Sequence, residues 1–465
     1  MRGIVEITSV TDAKNAVCTV LTDFPLGSTD ATWRWAEGSW SDYRGWPKTI
    51  AFHQQRAVYG GSDSYPAALW FSALGADYYD DFTAGALDTD AFWYHIPGQN
   101  PIQWLISSDY LLIGTSSSVG KYGKQGQAIT PSTPSYQEQS EHGAADIQAV
   151  TAGDIVIYAE RGARKVREFG YALQYDKYTT PDLTILSEEI TDPCVIEMTF
   201  QARPQPTLWC VLSDGEIATL SYHREQLVAG WSRQSTDGDF KSLIATPGSG
   251  TTPAGETWLE DCLWAVAERT VDGSDNTYIE QITPVEWGDP NYCFFVDSGA
   301  GLTVDGSDAN FYDGLEHLIG ETVGVYADLE SLGDYTVDAD GMVEIGSGYT
   351  TVIAGLKYYS KLETLPLKIV DMSNRQTQGV RIADKKITAL HFDLLDTYYL
   401  EYGMGANSTP KTMDFEEIIS DTVKFSRVAF PFGTYVKPTI YIQTNKPVPL
   451  GLRGIFPEIT YYRSN

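Results

Sequence analysis

Residues Thr207–Glu225 read TLWCVLSDGEIATLSYHRE, which is an apolar strand pattern, a tight Asp-Gly turn and a second apolar strand pattern. Similar units return about every fifty residues, a spacing typical of β-propeller blades. The other copies are Ala51–Gly61, Trp104–Thr115, Ala149–Arg161 and Cys262–Ile282. Because each blade of a propeller is one antiparallel sheet, the repeat predicts a propeller over residues 45–284.

The sequence on either side of the repeat also favours strands. Residues 1–44 begin at once in a strand pattern and are interpreted as an N-terminal β segment that continues a platform domain. Residues 285–370 predict a β-rich domain, and residues 371–465 predict a C-terminal β domain. The fold class is therefore all-β, a β-propeller followed by C-terminal β-barrel or sandwich domains.

A few segments depart from this pattern. Asn374–Gln378 and Asp414–Ile419 are each predicted to form a turn or two of helix. Gln125–Ala145 and Thr246–Glu256 have few large aliphatic residues and are predicted to be long loops. Loops of this length in compact domains often have a role, so both are candidates for a gate or a contact segment.

The charge balance is strongly acidic. The chain has 62 acidic and 32 basic residues and a formal net charge of -30. Such a chain repels nucleic acid at long range, whereas a protein that recognises a DNA sequence normally carries a basic patch. Charge thus excludes sequence-specific DNA binding as the expected function.

Targeting signals and cysteine chemistry give little guidance. No apolar run approaches the length of about eighteen residues that predicts a membrane span, and the N-terminus does not resemble a signal peptide. The five cysteines are odd in number and lack CxxC spacing. We interpret them as buried free thiols of a protein made in a reducing cytosol.

No motif assigns a chemical reaction. The adjacent carboxylates at Asp80–Asp81, Glu188–Glu189 and Glu260–Asp261 are interpreted as solvated turns and strand edges, although glycosidases use carboxylate pairs. Two VDGSD segments, Val271–Asp275 and Val304–Asp308, have oxygens suited to calcium but are interpreted as turns. We therefore assign no catalytic, cofactor-binding or metal-binding residue and expect a protein that is not an enzyme.

One basic cluster interrupts the acidic sequence. It consists of Arg161, Arg164, Lys165 and Arg167 in the segment ERGARKVREFGY. Two interpretations stay open. The cluster contacts a phosphate backbone or an acidic partner surface, or it is the rim of a hairpin that Glu160 and Glu168 balance.

Aromatic residues make up 12% of the chain. Aromatic rings stack on sugars in carbohydrate-binding proteins, but in repeat proteins they more often fill the core. The candidates are Trp70, Trp93, Trp104, Trp209 and Trp231.

An ordered set of segments resembles the tail nozzle proteins of short-tailed bacteriophages, also called tail tubular protein B. The resemblance covers about residues 45–460, and its specificity lies in the order of the segments rather than in one motif. At the N-terminus the chain departs from the family, whose members usually carry a further stretch upstream. The resembling segments are Phe52–Ser62, Leu69–Phe82, Leu111–Val119, Val166–Leu186, Leu208–Arg233, Tyr278–Gln281 and Gly355–Leu367.

The resemblance implies a structural virion protein that is made in the host cytoplasm. Such a protein forms a ring, expected to be a hexamer, at the distal end of the tail, below an adaptor protein and beside tail fibres or spikes. Its channel retains genomic DNA and then conducts it without sequence specificity. An acidic channel wall agrees with this role, because it forms few counterion-releasing contacts with phosphate.

Two other functions remain open from the sequence. The first is a carbohydrate-binding or glycan-cleaving propeller that recognises a host surface, which needs aromatic platforms and a carboxylate pair at one end of the propeller axis. The second is a host adhesin or receptor-binding component of a tail.

Overall fold

A computed structural model of the chain confirms the all-β fold class. The structure describes residues 4–22, 35, 37–98, 100–248, 250–251, 257–258, 260–283, 290–306, 308–367, 384–405, 409–419, 424–429 and 438–462. The helix expected at Asn374–Gln378 and most of the loop expected at Thr246–Glu256 lie outside these residues. Short 3₁₀ turns occur at Ala76–Tyr78, Pro290–Tyr292 and Glu316–Leu318.

The chain begins with a two-stranded antiparallel hairpin. Its strands are β1 (Ile4–Asp12) and β2 (Asn15–Thr22), joined by a two-residue turn. Every residue from Val5 to Leu21 is exposed, so none of the residues that the structure describes covers either face of this hairpin.

Five antiparallel sheets follow, and each is a simple up-and-down meander. Four of them have four strands and the fifth has three. We call them blades one to five. Blade one is β3 (Thr49–His53), β4 (Arg56–Gly60), β5 (Ala68–Phe71) and β6 (Phe92–His95). Blade two is β7 (Ile102–Ser107), β8 (Leu111–Thr115), β9 (Val119–Tyr122) and β10 (Tyr136–Ser140).

Blades three to five continue the same order. Blade three is β11 (Val150–Ala152), β12 (Ile155–Ala159), β13 (Val166–Ala172) and β14 (Lys177–Thr179). Blade four is β15 (Val195–Gln201), β16 (Thr207–Leu212), β17 (Ile217–His223) and β18 (Val228–Gln234). Blade five is β19 (Asp239–Pro247), β22 (Asp261–Val271) and β23 (Ser274–Ile282), with the short pair β20 (Gly250–Thr251) and β21 (Thr257–Trp258) inserted.

The blades pack face to face as in a β-propeller. The first strands of blades one and two lie side by side, as do those of blades three and four and of blades four and five. A separate apolar core fills each space between consecutive blades; for example, Leu69 and Phe71 of blade one pack with Ile102 and Leu105 of blade two. The three other cores join blades two and three, three and four, and four and five.

In the part of the chain that the structure describes, the row of blades does not close into a ring. Among the described residues, no apolar cluster and no hydrogen bond joins blade five to blade one. Sheet topology therefore shows five propeller-like blades in sequence, with two outer faces that do not meet.

The first three repeat copies form the first and second strands of their blades, but the last two form the second and third strands. Thr207–Glu225 covers β16 and β17, and Cys262–Ile282 covers β22 and β23. The repeat therefore predicts the blades correctly without fixing which strand of each blade it marks.

Three further sheets follow blade five in the described ranges. A six-stranded sheet contains β24 (Asp297–Val304), β25 (Phe311–Asp313), β26 (Thr322–Ala327), β27 (Glu330–Thr336), β28 (Met342–Glu344) and β29 (Val352–Leu356). The others contain β30 (Ser360–Glu363), β31 (Asp384–Leu395), β32 (Thr397–Gly403), β33 (Lys411–Ile419), β34 (Lys424–Ala429), β35 (Tyr441–Thr444) and β36 (Gly451–Tyr462).

These last two sheets enclose one core. The four-stranded sheet has the order β30-β35-β32-β33, and the three-stranded sheet has the order β34-β31-β36. Phe392 of β31 packs against Tyr402 of β32, with ring centroids 5.7 Å apart. Val271 of blade five joins the core of the six-stranded sheet, so the blades and the C-terminal sheets are in contact.

Two local predictions were wrong. Asp414–Ile419 is part of strand β33 rather than a helix, because Met413 and Phe415 alternate with Asp414 and pack on the C-terminal core. Gln125–Ala145 is not a continuous loop, since Tyr136–Ser140 forms the fourth strand of blade two. This strand is polar because it lies at the outer edge of its blade, where two of its residues are exposed and the other three are half-buried.

The packing of Trp104 depends on a glycine across the ladder. Trp104 of β7 is fully buried and pairs with Gly114 of β8. A Cβ atom at Gly114 would lie 2.2 Å from the Trp104 indole, so no side chain fits there. Gly230 of β18 also lies in a strand, but nothing lies within 4 Å of the position its Cβ would take.

We expect Gly114→Val to destabilise the protein by at least about 2 kcal/mol, because overpacking forces the indole or the strand to move. Gly230→Val is the matched control and should change the free energy of unfolding by less than about 1 kcal/mol. Urea denaturation followed by tryptophan fluorescence measures both. Equal effects would show that Trp104 repacks at little cost.

Candidate functional site

The basic cluster lies on the hairpin between β12 and β13 of blade three, and the structure brings its four members to one rim. Arg161 and Arg164 are exposed, Lys165 is half-buried and Arg167 is buried. Gly162 and Ala163 both have positive φ and form a tight turn. This turn places Arg161 and Arg164 on the outside of the hairpin.

Two members of the cluster are neutralised by carboxylates of the same chain. The Arg167 Nε lies 2.6 Å from Glu160 Oε2, and its Nη1 donates to the carbonyl oxygen of Thr180 at 2.8 Å. The Lys165 Nζ lies 3.1 Å from Asp182 and 3.0 Å from Glu188, and hydrogen bonds to these carboxylates raise the pKa of Lys165.

The two outer members are more accessible. Arg164 lies 3.2 Å from Asp192, and both side chains are mostly exposed. For Arg161, no ion pair with another described residue is present. The hairpin interpretation predicted that Glu160 and Glu168 neutralise the basic cluster. Glu160 does so, but Glu168 pairs with Arg224 at 2.9 Å instead. Arg161 and Arg164 are therefore the members able to contact a partner.

Three of the adjacent carboxylates have partners within the chain. Asp81 caps its own turn by accepting from the backbone N–H of Thr83, and Glu188 pairs with Lys165. Asp261 accepts from the backbone N–H groups of Ala202 and Arg203. Within the described residues, no group of three His, Cys, Asp or Glu side chains is placed to hold a metal ion.

The two VDGSD segments differ. In Val271–Asp275, positive φ angles of 49° at Asp272 and 72° at Gly273 form the two-residue turn of the β22–β23 hairpin, as expected. In Val304–Asp308, the Asp305 carboxylate accepts from the backbone N–H of Asp308. Both segments thus use their carboxylates or glycines to shape the backbone.

A buried charged cluster, which the sequence analysis missed, lies where blade five meets the six-stranded sheet. The Arg269 guanidinium, almost fully buried, binds both carboxylate oxygens of Glu280 at 2.9 and 2.7 Å. It also donates to Thr236 Oγ1 and to the carbonyl oxygen of Asp237. Since Glu280 already neutralises Arg269, the nearby Asp297 carboxyl lacks a full counter-charge.

Burial raises the pKa of Asp297 to about 6, against the opposing effects of Thr236 and Arg269. The Asp297 Oδ2 atom has no hydrogen-bond partner among the described residues. Burial, with a smaller contribution from Asp297, also raises the pKa of Tyr358 to about 12. The sequence did contain a signal that Arg269 is buried. Leu263, Ala265 and Ala267 alternate along β22 on its core side, and the same alternation places Arg269 on that side.

The candidate aromatic residues divide by location. Trp70 and Trp104 are buried, and Trp209 and Trp231 are half-buried. Trp93 on the outer strand of blade one is 56% exposed, with Tyr65 at a ring distance of 6.2 Å. The aromatics therefore serve mainly as core, as the more common interpretation holds, and Trp93 is the exception.

The cysteines are all free thiols. Cys210 and Cys293 are buried as expected, but Cys194 and Cys262 are half-buried. Cys18 was predicted wrongly, because it lies exposed on the N-terminal hairpin.

The chain matches no known protein-family profile. No curated protein matches it either. Among solved structures, it is similar to an exo-β-1,3-galactanase from Phanerochaete chrysosporium with β-1,3-galactotriose, at 10% identity, covering 89% of this chain and 95% of that one, with a TM-score of 0.27. A luciferin-regenerating enzyme is similar at 9% identity, with 50% and 89% coverage and a TM-score of 0.23.

TM-scores this low do not establish a shared architecture, and the propeller assignment rests on the sheet topology of the chain itself. In the part of the chain that the structure describes, no helix has the length and hydrophobicity needed to cross a bilayer.

We expect Arg167→Ala to destabilise the fold by about 2 kcal/mol, because it leaves the partly buried Glu160 carboxylate without its cation. Arg164→Ala is the control and should cost less than about 0.5 kcal/mol, because exposed ion pairs contribute little. Urea unfolding measures both. A large loss of unfolding free energy in Arg164→Ala would show that the exposed members of the cluster also stabilise the fold.

We expect Asp297→Asn to stabilise the protein at pH 7.5 and to have less effect near pH 5. The pKa of Asp297 is 3.8 in the reference state and about 6 in the folded protein. The folded state therefore favours the protonated carboxyl, and the protein loses stability as the pH rises from 3.8 through about 6. The gain at pH 7.5 should be on the order of 2 kcal/mol. Unfolding free energies at several pH values test this, and a gain independent of pH would contradict it.

Proposed function

We propose that this chain is the nozzle protein of a short phage tail, a virion component that assembles into a closed ring, expected to be a hexamer, at the distal end of the tail. In this role it lies below the tail adaptor protein, contacts tail fibres or spikes, and retains and then conducts genomic DNA. It carries out no chemical reaction in this role.

The observation that carries the proposal is the order of the resembling segments within the fold. Phe52–Ser62 lies in blade one, Leu111–Val119 in blade two, Val166–Leu186 in blade three and Leu208–Arg233 in blade four. Tyr278–Gln281 continues in blade five. A further segment, Gly355–Leu367, lies at β29 and β30, so the resemblance spans the blades and the sheets that follow.

The charges support a conduit for DNA. Most cations of blades three to five are engaged by carboxylates of the same chain, which leaves few of them able to bind phosphate. Since each Lys or Arg contact with DNA releases counterions and strengthens binding, a wall with few free cations lets DNA move. The paired cations are Arg164, Lys165, Arg167, Arg224, Arg233, Lys241 and Arg269.

The alternative function is a carbohydrate-binding or glycan-cleaving propeller. The observation that favours it is the exposed Trp93 ring beside Tyr65, since such rings stack on the apolar faces of sugars. Binding of a host glycan by the purified protein, lost in Trp93→Ala, would favour this alternative.

We expect phage particles that lack this chain to package DNA and then lose it. Particles from a genome with the gene interrupted should have DNA sensitive to nuclease, and supply of the wild-type chain in trans should restore protection. An affinity tag on the chain should label the distal end of the tail in negative-stain images. Full DNA retention without the chain, or absence of the tag from particles, would overturn the proposal.

A further inference from the structure

The N-terminal hairpin has one apolar face. The register pairs Val5 with Val20, Ile7 with Cys18 and Val10 with Ala16. A shift in register between Ile7 and Ser9 places Val10 on the same side as Ile7, so this face is continuous. We call it the hairpin face, and its members, all exposed, are Val5, Ile7, Val10, Ala16, Cys18 and Val20.

Such a hairpin is expected to need a partner. An isolated two-stranded hairpin is at best marginally stable in water, and stability requires further strands or packing on an apolar surface. Val10 is 71% exposed and Ile7 is 61% exposed, and no other residue in the described ranges covers either of them. A contiguous exposed apolar surface of this kind typically marks an interaction site.

Blade five has a second apolar face that nothing described covers. Opposite Ile244 on the neighbouring strand is Trp264, and opposite Val266 is Ile279. Ile244 is 55% exposed, Trp264 39% and Ile279 75%. The other face of the same sheet is packed on blade four through Leu263 and its neighbours. We call Ile244, Trp264, Val266 and Ile279 the blade-five face.

Blade one, at the other end of the array, differs. Its outer face is covered from within the chain, where Trp40 packs on Tyr59 at 5.1 Å, on Trp70 at 5.4 Å and on Phe82 at 5.1 Å. Among the described blades, the blade-five face is therefore the end of the array that an additional sheet would complete.

We propose that the hairpin face of one copy of the chain packs on the blade-five face of a second copy. Among the described residues of one chain both faces are exposed at the same time, so the hairpin face does not pack on the blade-five face of its own chain. Because the two faces are different surfaces, the contact is heterologous and repeats from copy to copy, closing a ring if the geometry permits. The proposal does not depend on the nozzle function.

Charge limits where two copies can meet. Each copy has a net charge of -30, so two copies repel each other at low salt. The residues that define the hairpin face and the blade-five face are all uncharged, which suits both to contact between like-charged molecules. Glu268, which borders Val266 on the same side of β22, is paired with Lys241 at 2.9 Å. Association should therefore strengthen as salt screens the repulsion and as burial of the apolar faces dominates.

The test compares Val10→Asp on the hairpin face with Ile279→Asp on the blade-five face, in the full chain, by sedimentation velocity at several salt concentrations. Wild-type protein should associate, and each variant alone should be monomeric. An equal mixture of the two variants should form dimers and nothing larger, because each pair retains one intact hairpin face and one intact blade-five face.

Two matched controls accompany these variants. Val17→Asp makes the same substitution on the opposite face of the hairpin, as Val17 pairs with Ser9. Leu227→Asp alters a residue of blade four that is 92% exposed. Both should associate like the wild type, and near-ultraviolet circular dichroism should show an unchanged fold in every variant.

A second measurement does not depend on disrupting the hairpin. In Ile279→Cys, a short bismaleimide should link Cys18 of one copy to position 279 of another, and isotope labelling of one population identifies links between copies. A monomeric wild type, a mixture of the Asp variants that stays monomeric, or links confined to single chains would each overturn the proposal.

Discussion

The fold depends on one constraint, that an antiparallel sheet with two apolar faces must have both of them covered. Each blade from two to four lies between two neighbours, and each space between blades is filled by its own set of buried aliphatic and aromatic side chains. The burial of these side chains is the main source of stability. The ends of the array meet the constraint differently, since blade one is covered by aromatic residues of its own chain and blade five has one open face.

The sequence predicted the blades because strand alternation and tight turns are local signals. It placed the turn at Asp272 and Gly273 correctly, since few other residues accept positive φ at two successive positions. It missed β10 because an outer strand bearing Gln137, Glu138 and Gln139 has the composition of a loop. It predicted a helix at Asp414–Ile419 because a short acidic and apolar segment fits both the helical and the strand periodicity. Only packing against a distant strand decides between the two.

The site residues also divide into those that a local sequence pattern reveals and those that depend on tertiary contacts. The four basic residues were recognisable as a cluster because they are close in the sequence, but their partners Asp182, Glu188 and Asp192 come from a later segment and were not. The environment of Asp297 depends on Thr236, Arg269 and Glu280, which lie on three separate segments. A pKa set by burial is a property of tertiary structure, so no local pattern announces it.

The open array has a consequence for how the molecule loses structure. In a closed propeller every blade has two neighbours, and the ring unfolds as a cooperative whole. In a row of blades the stability of each depends on its nearest neighbours, as in a solenoid. Blade three, which lies at the middle of the row, should then exchange its amide protons most slowly, and exchange should quicken towards blade five. Contact with a second molecule at the open end would slow exchange there first.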